Sequence, residues 1–373
     1  MAPLLSLIIP TRERAHTLAA TLATAVATTS ARLEIIVSDN VSADDTHAVV
    51  TRTGDSRVRY VNPGSRQSMC GNYEFALAAA TGTYVIIIGD DDAVIPQALD
   101  RLMDRLAALS EPVIHMWPLH IYDWPSSGRP ASVAYLAPTI PPSELDLKAK
   151  ARDVLQRGGW KYYELPSPYH AAIPRAFLSG IRDRTGRVFH STQPDVFTAM
   201  AIPAFADRAI NIGSAVTFNG RSAKSNGLGF VERKARVNID RFIAEYGDYR
   251  FHPSLPTGVA AAANMIPDAI LLAAEMFPEV YAGTDFDYGA MWAYICRLGF
   301  ISHGEVLARR AELQRAHDFS LVRFLSLSAV HQAAVVRRKM LNAATPLGSL
   351  AHGVPDSIDA FVAVLQRDFA PAA

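Results

Sequence analysis

The sequence predicts an α/β fold whose mostly parallel sheet is flanked by helices and followed by a largely helical C-terminal region. Two observations carry this prediction. Short apolar runs rich in β-branched residues, of which residues 84–88 are the clearest, alternate with helical stretches through about the first hundred residues. From Val231 onward the pattern is mainly helical. The length of 373 residues suits two domains, or one large α/β domain with an appendage.

The predicted elements follow one another as βαβ units. Strand patterns cover residues 4–9, 33–37, 58–61 and 84–88, and helical patterns lie between them. Another helix is predicted from Pro96, and a strand-like run follows at residues 113–117. Strands in such units are parallel. Their carboxyl ends therefore meet at one edge of the sheet, where α/β proteins bind ligands.

Polar residues stand at the ends of three of these strands: Thr11, Arg12, Asp39, Asn40, Asp90, Asp91 and Asp92. Adjacent carboxylates repel one another unless a cation draws them together. Carboxylate oxygens are the hard ligands that Mg²⁺ or Mn²⁺ prefers, so the three consecutive aspartates indicate a metal site. The alternative interpretation is a solvated acidic turn that starts the helix at Pro96, because acids favour helix N-termini.

The composition and the missing motifs exclude several classes of protein. The 36 basic and 36 acidic residues balance, which argues against a nucleic-acid binder driven by overall charge. The first strand is not followed by a dinucleotide-binding glycine motif, and the sequence contains neither a P-loop nor a zincin motif. Two cysteines form no disulfide framework, and the most apolar stretch, residues 259–277, is interrupted by polar residues. We therefore expect a cytoplasmic protein with no signal peptide and no integral membrane segment.

Four motifs in the first hundred residues carry a resemblance to a known family. They occupy residues 7–11, 35–40, 71–84 and 89–92, and they end in Pro10-Thr11, Asp39-Asn40, Thr83-Tyr84 and Asp90-Asp91-Asp92. In this order and spacing they resemble the family 2 glycosyltransferases of the GT-A fold. Glu13 is a departure, because the family often has asparagine at that place.

The resemblance implies a nucleotide-sugar site at the carboxyl edge of the sheet. Asp39 would bind the uracil or thymine base, and Asp91 would contact the ribose. Asp92, with help from Asp90, would hold Mn²⁺ or Mg²⁺ on the diphosphate. The other residues expected to bind the nucleotide sugar are Pro10, Thr11, Arg12, Asn72 and Arg221. Residues 219–229 are rich in glycine and serine, so we expect either a solvated loop or a lid whose Arg221 or Lys224 approaches the diphosphate.

Asp195 is the candidate catalytic residue. Pro194 suits the first turn of a helix, which places Asp195 near a helix N-terminus. Such an acid can simply favour the helix start. In the family that the chain resembles, an acid at the head of a helix in this part of the chain is the catalytic base. Trp160, Tyr169 and His170 are the candidate acceptor residues, because aromatic faces often hold sugar rings; the alternative is core packing.

The resemblance therefore implies an inverting, metal-dependent transferase that moves a sugar from a UDP- or dTDP-sugar to a hydroxyl of a small-molecule or glycan acceptor. Residues 1–118 would form the nucleotide-sugar-binding half, residues 119–230 the acceptor and catalytic half, and residues 231–373 a helical region. The C-terminal helices could also form a homodimer contact. The alternatives are a sugar-phosphate nucleotidyltransferase, which would need a basic glycine-rich loop after the first strand, and a non-catalytic nucleotide-sugar-binding protein.

Overall fold

The computed structural model describes residues 2–126, 129–225, 236–257, 259–317, 319–344 and 353–368. The strands are β1 (Leu5–Thr11), β2 (Leu33–Asp39), β3 (Val58–Val61), β4 (Tyr84–Ile87), β5 (Ala93–Val94), β6 (Ile114–Met116), β7 (His120–Asp123), β8 (Ser132–Tyr135), β9 (Ser143–Asp146), β10 (Ala171–Pro174), β11 (Arg208–Asn211) and β12 (Thr217–Arg221). The helices are α1 (Ala15–Val26), α2 (Thr46–Arg52), α3 (Met69–Ala78), α4 (Pro96–Ala107), α5 (Leu147–Gln156), α6 (Arg175–Thr185), α7 (Pro194–Ala201), α8 (Arg236–Ala244), α9 (Ala261–Met276), α10 (Pro278–Tyr281), α11 (Tyr288–Arg297), α12 (His303–Ala308), α13 (Arg310–Ala316), α14 (Leu321–Ala344) and α15 (Ile358–Asp368).

The strands form a large mixed sheet and a small one. The eight-stranded sheet has the order β3-β2-β1-β4-β10-β6-β11-β9, and its β3-β2-β1-β4 half is entirely parallel. Beyond β4 the sheet changes character, because β10 runs antiparallel to both β4 and β6. The predicted α/β fold class with a helical C-terminal region is confirmed. Strands from both sides of residue 118 belong to the large sheet, so the two predicted halves share one sheet.

The unbroken apolar runs are explained by burial on both faces of the sheet. In β1, Ile8 packs into one core cluster, whereas Leu7 and Ile9 pack into another. In β4, Ile87 packs into the same cluster as Ile8, whereas Ile86 packs into the same cluster as Leu7 and Ile9. A strand covered on both faces needs apolar residues at every position, which is typical of parallel sheets.

The register brings the carboxyl ends of the parallel strands together, as predicted. Thr11 at the end of β1 pairs with Asp39 at the end of β2, and Ile8 pairs with Ile87 of β4. The strand continues through Pro10, where the sequence pattern had predicted its end. Proline is tolerated there because the pairing with β4 has already ended at Ile8, so no ladder hydrogen bond on that side is lost.

The small sheet, β5-β12-β7-β8, returns the chain to the aspartates. β5 begins directly after Asp92. β12 pairs antiparallel with β5 and parallel with β7. The prediction of a loop over residues 219–229 is therefore wrong for residues 219–221, which end β12 because they extend its ladder with β7. Residues 226–229 of that predicted loop lie outside the described residues.

The C-terminal region is mainly helical where the structure describes it. α9 packs against α7, α11 packs against α14, and α15 packs against α1. Across the described ranges no single helix is long and apolar enough to cross a membrane. Together, α13 and Leu321–Arg337 have the necessary length and apolar composition, but the two helices meet at an angle of 113°.

A buried carboxylate ties β1 and β2 to the turn before β4. Glu34 is 6% exposed and accepts hydrogen bonds from Ser6 Oγ at 2.5 Å, Thr81 N at 2.6 Å and Gly82 N at 3.0 Å. Burial alone raises the pKa of Glu34, but these hydrogen bonds outweigh it and bring the pKa below its usual range. The ionised form of Glu34 is therefore the stabilising one.

We expect Glu34→Gln to lower the free energy of unfolding at pH 7 by about 1.5–3 kcal/mol, because hydrogen bonds to a charged acceptor are lost. Because the pKa of Glu34 is lower in the folded protein than in the unfolded chain, its ionised form stabilises the fold at pH values above the unfolded pKa of about 4.3. This stabilisation is lost as the pH falls through the folded-state pKa. The difference from wild type should therefore shrink below about pH 4, as measured by urea unfolding.

Glu144→Gln is the matched control. Glu144 pairs with Arg208 at 2.9 Å, but both side chains are more than half exposed, at 56% and 59%. Its loss should cost less than about 1 kcal/mol. Equal losses in the two variants would contradict the anchoring role of Glu34.

Candidate functional site

A cavity of about 760 Å³ opens at the carboxyl edge of the parallel strands. It is lined from four sides: by the loop after β1, by the aspartates after β4, by the start of α7, and by C-terminal residues such as Phe242, Ile266 and Tyr294. Eleven of the predicted site residues line it: Pro10, Thr11, Arg12, Asn72, Asp90, Asp91, Asp92, Tyr169, His170, Asp195 and Arg221. Asp39 and Trp160 are not among the lining residues that the structure describes.

Asp90 is held by the loop after β1. Its Oδ2 accepts hydrogen bonds from Thr11 Oγ1 at 2.7 Å and from Arg12 N at 3.4 Å. Its Oδ1 accepts from the guanidinium of Arg14 at 2.8 Å. Asp90 is 3% exposed, so this ion pair is largely screened from water. The first strand and the aspartate turn are thus joined by charge as well as by the sheet.

Asp91 and Asp92 are held by β12 and by Ser222, the residue directly after it. Asp91 Oδ2 accepts hydrogen bonds from Ser222 N at 3.0 Å and from Ser222 Oγ at 2.6 Å. Asp92 Oδ1 accepts from Gly220 N at 2.7 Å, and its Oδ2 accepts from Gly89 N at 2.6 Å. Both carboxylates are nearly inaccessible to solvent. The three adjacent acids therefore point to separate partners.

The electrostatics of this cluster favour a bound cation. Burial raises the pKa of Asp91, and Asp90 adds to the rise while Arg14 opposes it. Burial and the charge of Asp91 raise the pKa of Asp92 well above its usual range. Among the described residues, Arg14 is the only guanidinium that bonds to one of these three buried carboxyl groups, and it bonds to Asp90. Uncompensated negative charge of this kind is what a divalent cation would offset.

The donor set suits a metal that takes only part of its shell from the protein. Across the part of the chain that the structure describes, no three His, Cys, Asp or Glu side chains converge on one possible metal position. Mg²⁺ commonly uses one or two carboxylates together with substrate phosphates. Asp92 and Asp90 supply hard oxygens of this kind at the cavity wall. The residues therefore fit a metal that binds together with a diphosphate.

Several predicted nucleotide residues have protein partners. Asp39 is 2% exposed and accepts hydrogen bonds from Tyr60 Oη at 2.6 Å and Ser42 N at 3.0 Å, whereas its neighbour Asn40 lines the cavity. Asn72 lines the cavity while its side chain exchanges hydrogen bonds with Ser38. The base-binding role of Asp39 stays a prediction.

The predicted cations at the cavity are also paired. Arg12 forms a two-pronged ion pair with Glu245, at 2.8 and 2.5 Å. Arg221 donates to both carboxylate oxygens of Asp123, at 2.6 and 2.8 Å. Lys224 Nζ donates to the carbonyl of Glu13 at 2.6 Å. A diphosphate would have to compete with, or add to, these contacts.

Asp195 stands at the head of α7, as predicted, and its side chain borders the cavity. Burial raises its pKa to about 6, and the N–H of Val196 offsets only part of the rise. A carboxylate with a pKa near the working pH can accept a proton and release it again. This position and this pKa suit a general base.

The predicted acceptor residues have different surroundings. Tyr169 lines the cavity, and its hydroxyl bonds to that of Tyr73. His170 also lines the cavity, but its Nε2 donates to the carbonyl of Leu165 at 3.1 Å, and burial lowers its pKa to about 4. Trp160 is 8% exposed and packs against His331 with ring centroids 4.5 Å apart. The acceptor roles of these residues stay predictions.

Four residues that contribute to the site are not among the residues predicted from the sequence. Arg14 was overlooked although it is the second cation directly after β1. Ser222 and Gly220 lie more than a hundred residues from the aspartates, so no local pattern links them. Tyr73 lies inside the motif at residues 71–84, which was the available signal.

Comparison with known proteins agrees with the motifs. The model of glycosyl transferase family 2 matches residues 6–152. A Campylobacter jejuni GalNAc(5)-diNAcBac-PP-undecaprenol beta-1,3-glucosyltransferase is 37% identical over 106 residues, which are 28% of this chain and 34% of that relative. The Escherichia coli UDP-Glc:alpha-D-GlcNAc-diphosphoundecaprenol beta-1,3-glucosyltransferase WfgD is 29% identical over 103 residues, which are 28% of this chain and 41% of that relative.

The predicted resemblance to family 2 glycosyltransferases is confirmed over residues 6–152. The matched part spans about a third of the length of the first relative. Among solved structures, S. aureus TarS 1-349 in complex with UDP-GlcNAc is 14% identical, with 90% of this chain and 92% of that chain covered and a TM-score of 0.49. The Pyrobaculum calidifontis mannosyltransferase PcManGT in complex with GDP-Man and Mn²⁺ is 18% identical, with 91% and 87% covered and a TM-score of 0.42.

Gly220→Ala tests the support that β12 gives to the aspartates. A Cβ at Gly220 would lie 1.7 Å from the Asp91 carbonyl oxygen, so β12 or the aspartate turn must move. We expect a loss of about 1–3 kcal/mol in the free energy of unfolding, as for other overpacked sites, together with weaker binding of UDP with Mn²⁺.

The matched control is Gly304→Ala in α12. The nearest atom to a Cβ there is Ser302 Oγ at 3.9 Å, so the change should be neutral or stabilise the helix by up to about 1 kcal/mol. Urea unfolding and isothermal titration on both variants make the comparison. Unaltered stability and UDP binding in Gly220→Ala would disprove the tight contact.

Proposed function

We propose that the protein is an inverting glycosyltransferase that moves a sugar from a UDP- or dTDP-sugar to an acceptor hydroxyl. One observation carries the proposal: a single cavity joins the buried aspartates after β4 to Asp195, whose pKa is raised to about 6. A displacement at a sugar carbon needs a stabilised leaving group on one side and a base on the other. The cavity offers candidates for both.

The aspartate end is the proposed diphosphate site. Asp92 and Asp90 would hold Mn²⁺ or Mg²⁺, which as a Lewis acid offsets the charge of the departing diphosphate. Arg14, already paired with Asp90, keeps positive charge at this end of the cavity. A diphosphate arriving with its metal would meet a cluster whose excess negative charge favours the metal.

The nucleoside would lie along the ends of β1 and β2. Pro10, Thr11, Arg12 and Asn72 line this part of the cavity, and Asp39 lies beside it at the end of β2. The relative WfgD carries UDP-Glc in its name, which supports UDP as the nucleotide tested first. Arg221, on the other wall, would reach the diphosphate after releasing Asp123.

Asp195 is the proposed general base. The acceptor oxygen would attack the anomeric carbon as its proton passes to the Asp195 carboxylate, and the bond from that carbon to the diphosphate oxygen would break. One displacement with one base inverts the configuration at the carbon. Burial of Asp195 raises its pKa, so the ionised carboxylate is a stronger proton acceptor than an exposed one.

The acceptor would enter beside the C-terminal helices. The lining at that end includes the apolar or aromatic side chains of Phe242, Ile266, Tyr294 and Leu298, with the charged Arg241 and Glu245 beside Phe242. The names of the relatives describe acceptors linked to undecaprenol through a diphosphate. A glycan on such a carrier is therefore a candidate acceptor, in addition to small molecules. A homodimer through the C-terminal helices stays a prediction.

Asp92→Asn tests the metal site. The change keeps the size of the side chain and removes its charge, so the variant should fold but gain far less stability from UDP with Mn²⁺. Wild type should gain about 2.7 kcal/mol at a ligand concentration of 100 times its dissociation constant. Thermal unfolding with UDP, Mn²⁺ and both together measures the gain.

Asp100→Asn is the control, because Asp100 likewise accepts backbone hydrogen bonds, from Thr29 and Ser30, but lies outside the cavity. It should keep the full ligand-induced gain. A full gain in Asp92→Asn as well would remove Asp92 from the metal site.

Asp195→Asn tests the base. The variant should bind UDP and Mn²⁺ normally, while UDP release from UDP-glucose falls by about 10²- to 10⁴-fold, equivalent to roughly 3–5 kcal/mol of barrier. For wild type, activity should rise with pH through about 6 and level off above it, because the base must be ionised. The variant should lack this rise.

If Asp195 only favours the start of α7, the variant should instead lose about 1 kcal/mol of stability or less and keep its turnover. Near-wild-type turnover with the pH rise intact would end the case for Asp195. Donor binding without turnover in wild type, with any acceptor, would point to a non-catalytic binding protein.

A further inference from the structure

Two tyrosine hydroxyls meet in the wall of the cavity. Tyr73 comes from the first turns of α3, Tyr169 comes from the segment before β10, and their hydroxyl groups share a hydrogen bond. Tyr73 is 5% exposed, and the edge of its ring packs on Phe189 with centroids 5.4 Å apart. This packing fixes the Tyr73 ring, and the shared hydrogen bond ties the Tyr169 hydroxyl to it before any ligand arrives.

The pair retains hydrogen-bonding capacity toward the cavity. Two phenols carry two O–H hydrogens, and a bond between them uses one. The second hydrogen and the remaining lone pairs are left for a ligand or for water. A neutral pair that both donates and accepts suits the hydroxyl of a sugar, which also does both.

The pair lies within the electrostatic reach of both functional ends of the cavity. Burial raises the pKa of Tyr73 well above its usual range, and the charges of Asp195 and Asp92 raise it further. Burial also raises the pKa of Tyr169, and the neighbouring Tyr73, Asp195 and Asp92 raise it further. Tyr73 and Tyr169 line the same cavity as Asp195 and Asp92, so the pair shares that space with the proposed base and the proposed metal ligand.

This position is where the transferred sugar must lie. In a single displacement the anomeric carbon stands between the leaving diphosphate and the attacking oxygen, and that oxygen contacts the base. We propose that the Tyr73–Tyr169 hydroxyl pair binds a hydroxyl group of the donor sugar and so contributes to the choice of sugar. The assignment rests on the proposed function and moves Tyr169 from the predicted acceptor role to the donor sugar.

The test separates binding of the sugar from binding of the nucleotide. Titration calorimetry with Mn²⁺ measures the dissociation constants of UDP, UDP-glucose, UDP-galactose and UDP-N-acetylglucosamine for wild type, Tyr73→Phe and Tyr169→Phe. The probe is the sugar nucleotide whose dissociation constant for wild type differs most from that of UDP. We expect Tyr73→Phe and Tyr169→Phe to bind that probe about three- to tenfold more weakly, with UDP binding unchanged within about twofold.

Tyr281→Phe is the matched control. Tyr281 is also buried, and its hydroxyl donates to the Met200 carbonyl at 2.6 Å, but the side chain does not line the cavity described here. It should lose stability in thermal unfolding and leave all the dissociation constants unchanged. The Phe variants at positions 73 and 169 should differ from it only in affinity for the sugar.

Three results would overturn the inference. Unaltered affinity for the probe in both Phe variants would leave the pair as packing, and equal weakening of UDP and the probe would place its effect on the nucleotide. The absence of any difference among the four nucleotides in all proteins would mean that no sugar is recognised there. If wild type binds none of the nucleotides, the proposed function itself fails, which is a separate outcome.

Discussion

The structure depends on the burial of three consecutive carboxyl groups at the end of β4. Asp90, Asp91 and Asp92 are each at most 4% exposed, and burial of charge is costly unless partners offset it. Among the described residues, one guanidinium, several backbone N–H groups and two hydroxyls offset it. Apart from Gly89, these partners come from the segment that begins at the end of β1 and from β12 with Ser222 after it, so the acids connect the two sheets. The same incomplete compensation is the basis for proposing a cation at this site.

The fold and the location of the candidate site were largely predictable from the sequence. Unbroken apolar runs identify strands covered on both faces, and in parallel strands the polar residues that follow them share one edge. For this reason Thr11 and Asp90 could be predicted to meet, and they do, at 2.7 Å. Asp195 was placed correctly at a helix start because Pro194 marks the first turn. Both predictions depend on short-range patterns.

What could not be predicted is the direction of individual side chains and the partners that come from far along the chain. Asp39 ends its strand at the right edge, yet its carboxylate faces Tyr60 of the neighbouring strand. Trp160 lies in an aromatic stretch but packs under α14 against His331. Arg12 meets Glu245, more than two hundred residues later. Sequence position alone does not encode such contacts, because tertiary packing decides them.

The return of β12 to the aspartate turn has a consequence for how the protein acquires its site. Ser222 and Asp91 are separated by 131 positions, and loops of that size close late because their entropy must be lost before the contact stabilises anything. During synthesis the parallel strands can assemble first, while Asp91 and Asp92 still await their partners from β12. A nascent chain that stops short of residue 217 would hold those two acids without these partners. The proposed metal affinity should therefore appear late, as a mark of a completed chain rather than of a folded N-terminal half.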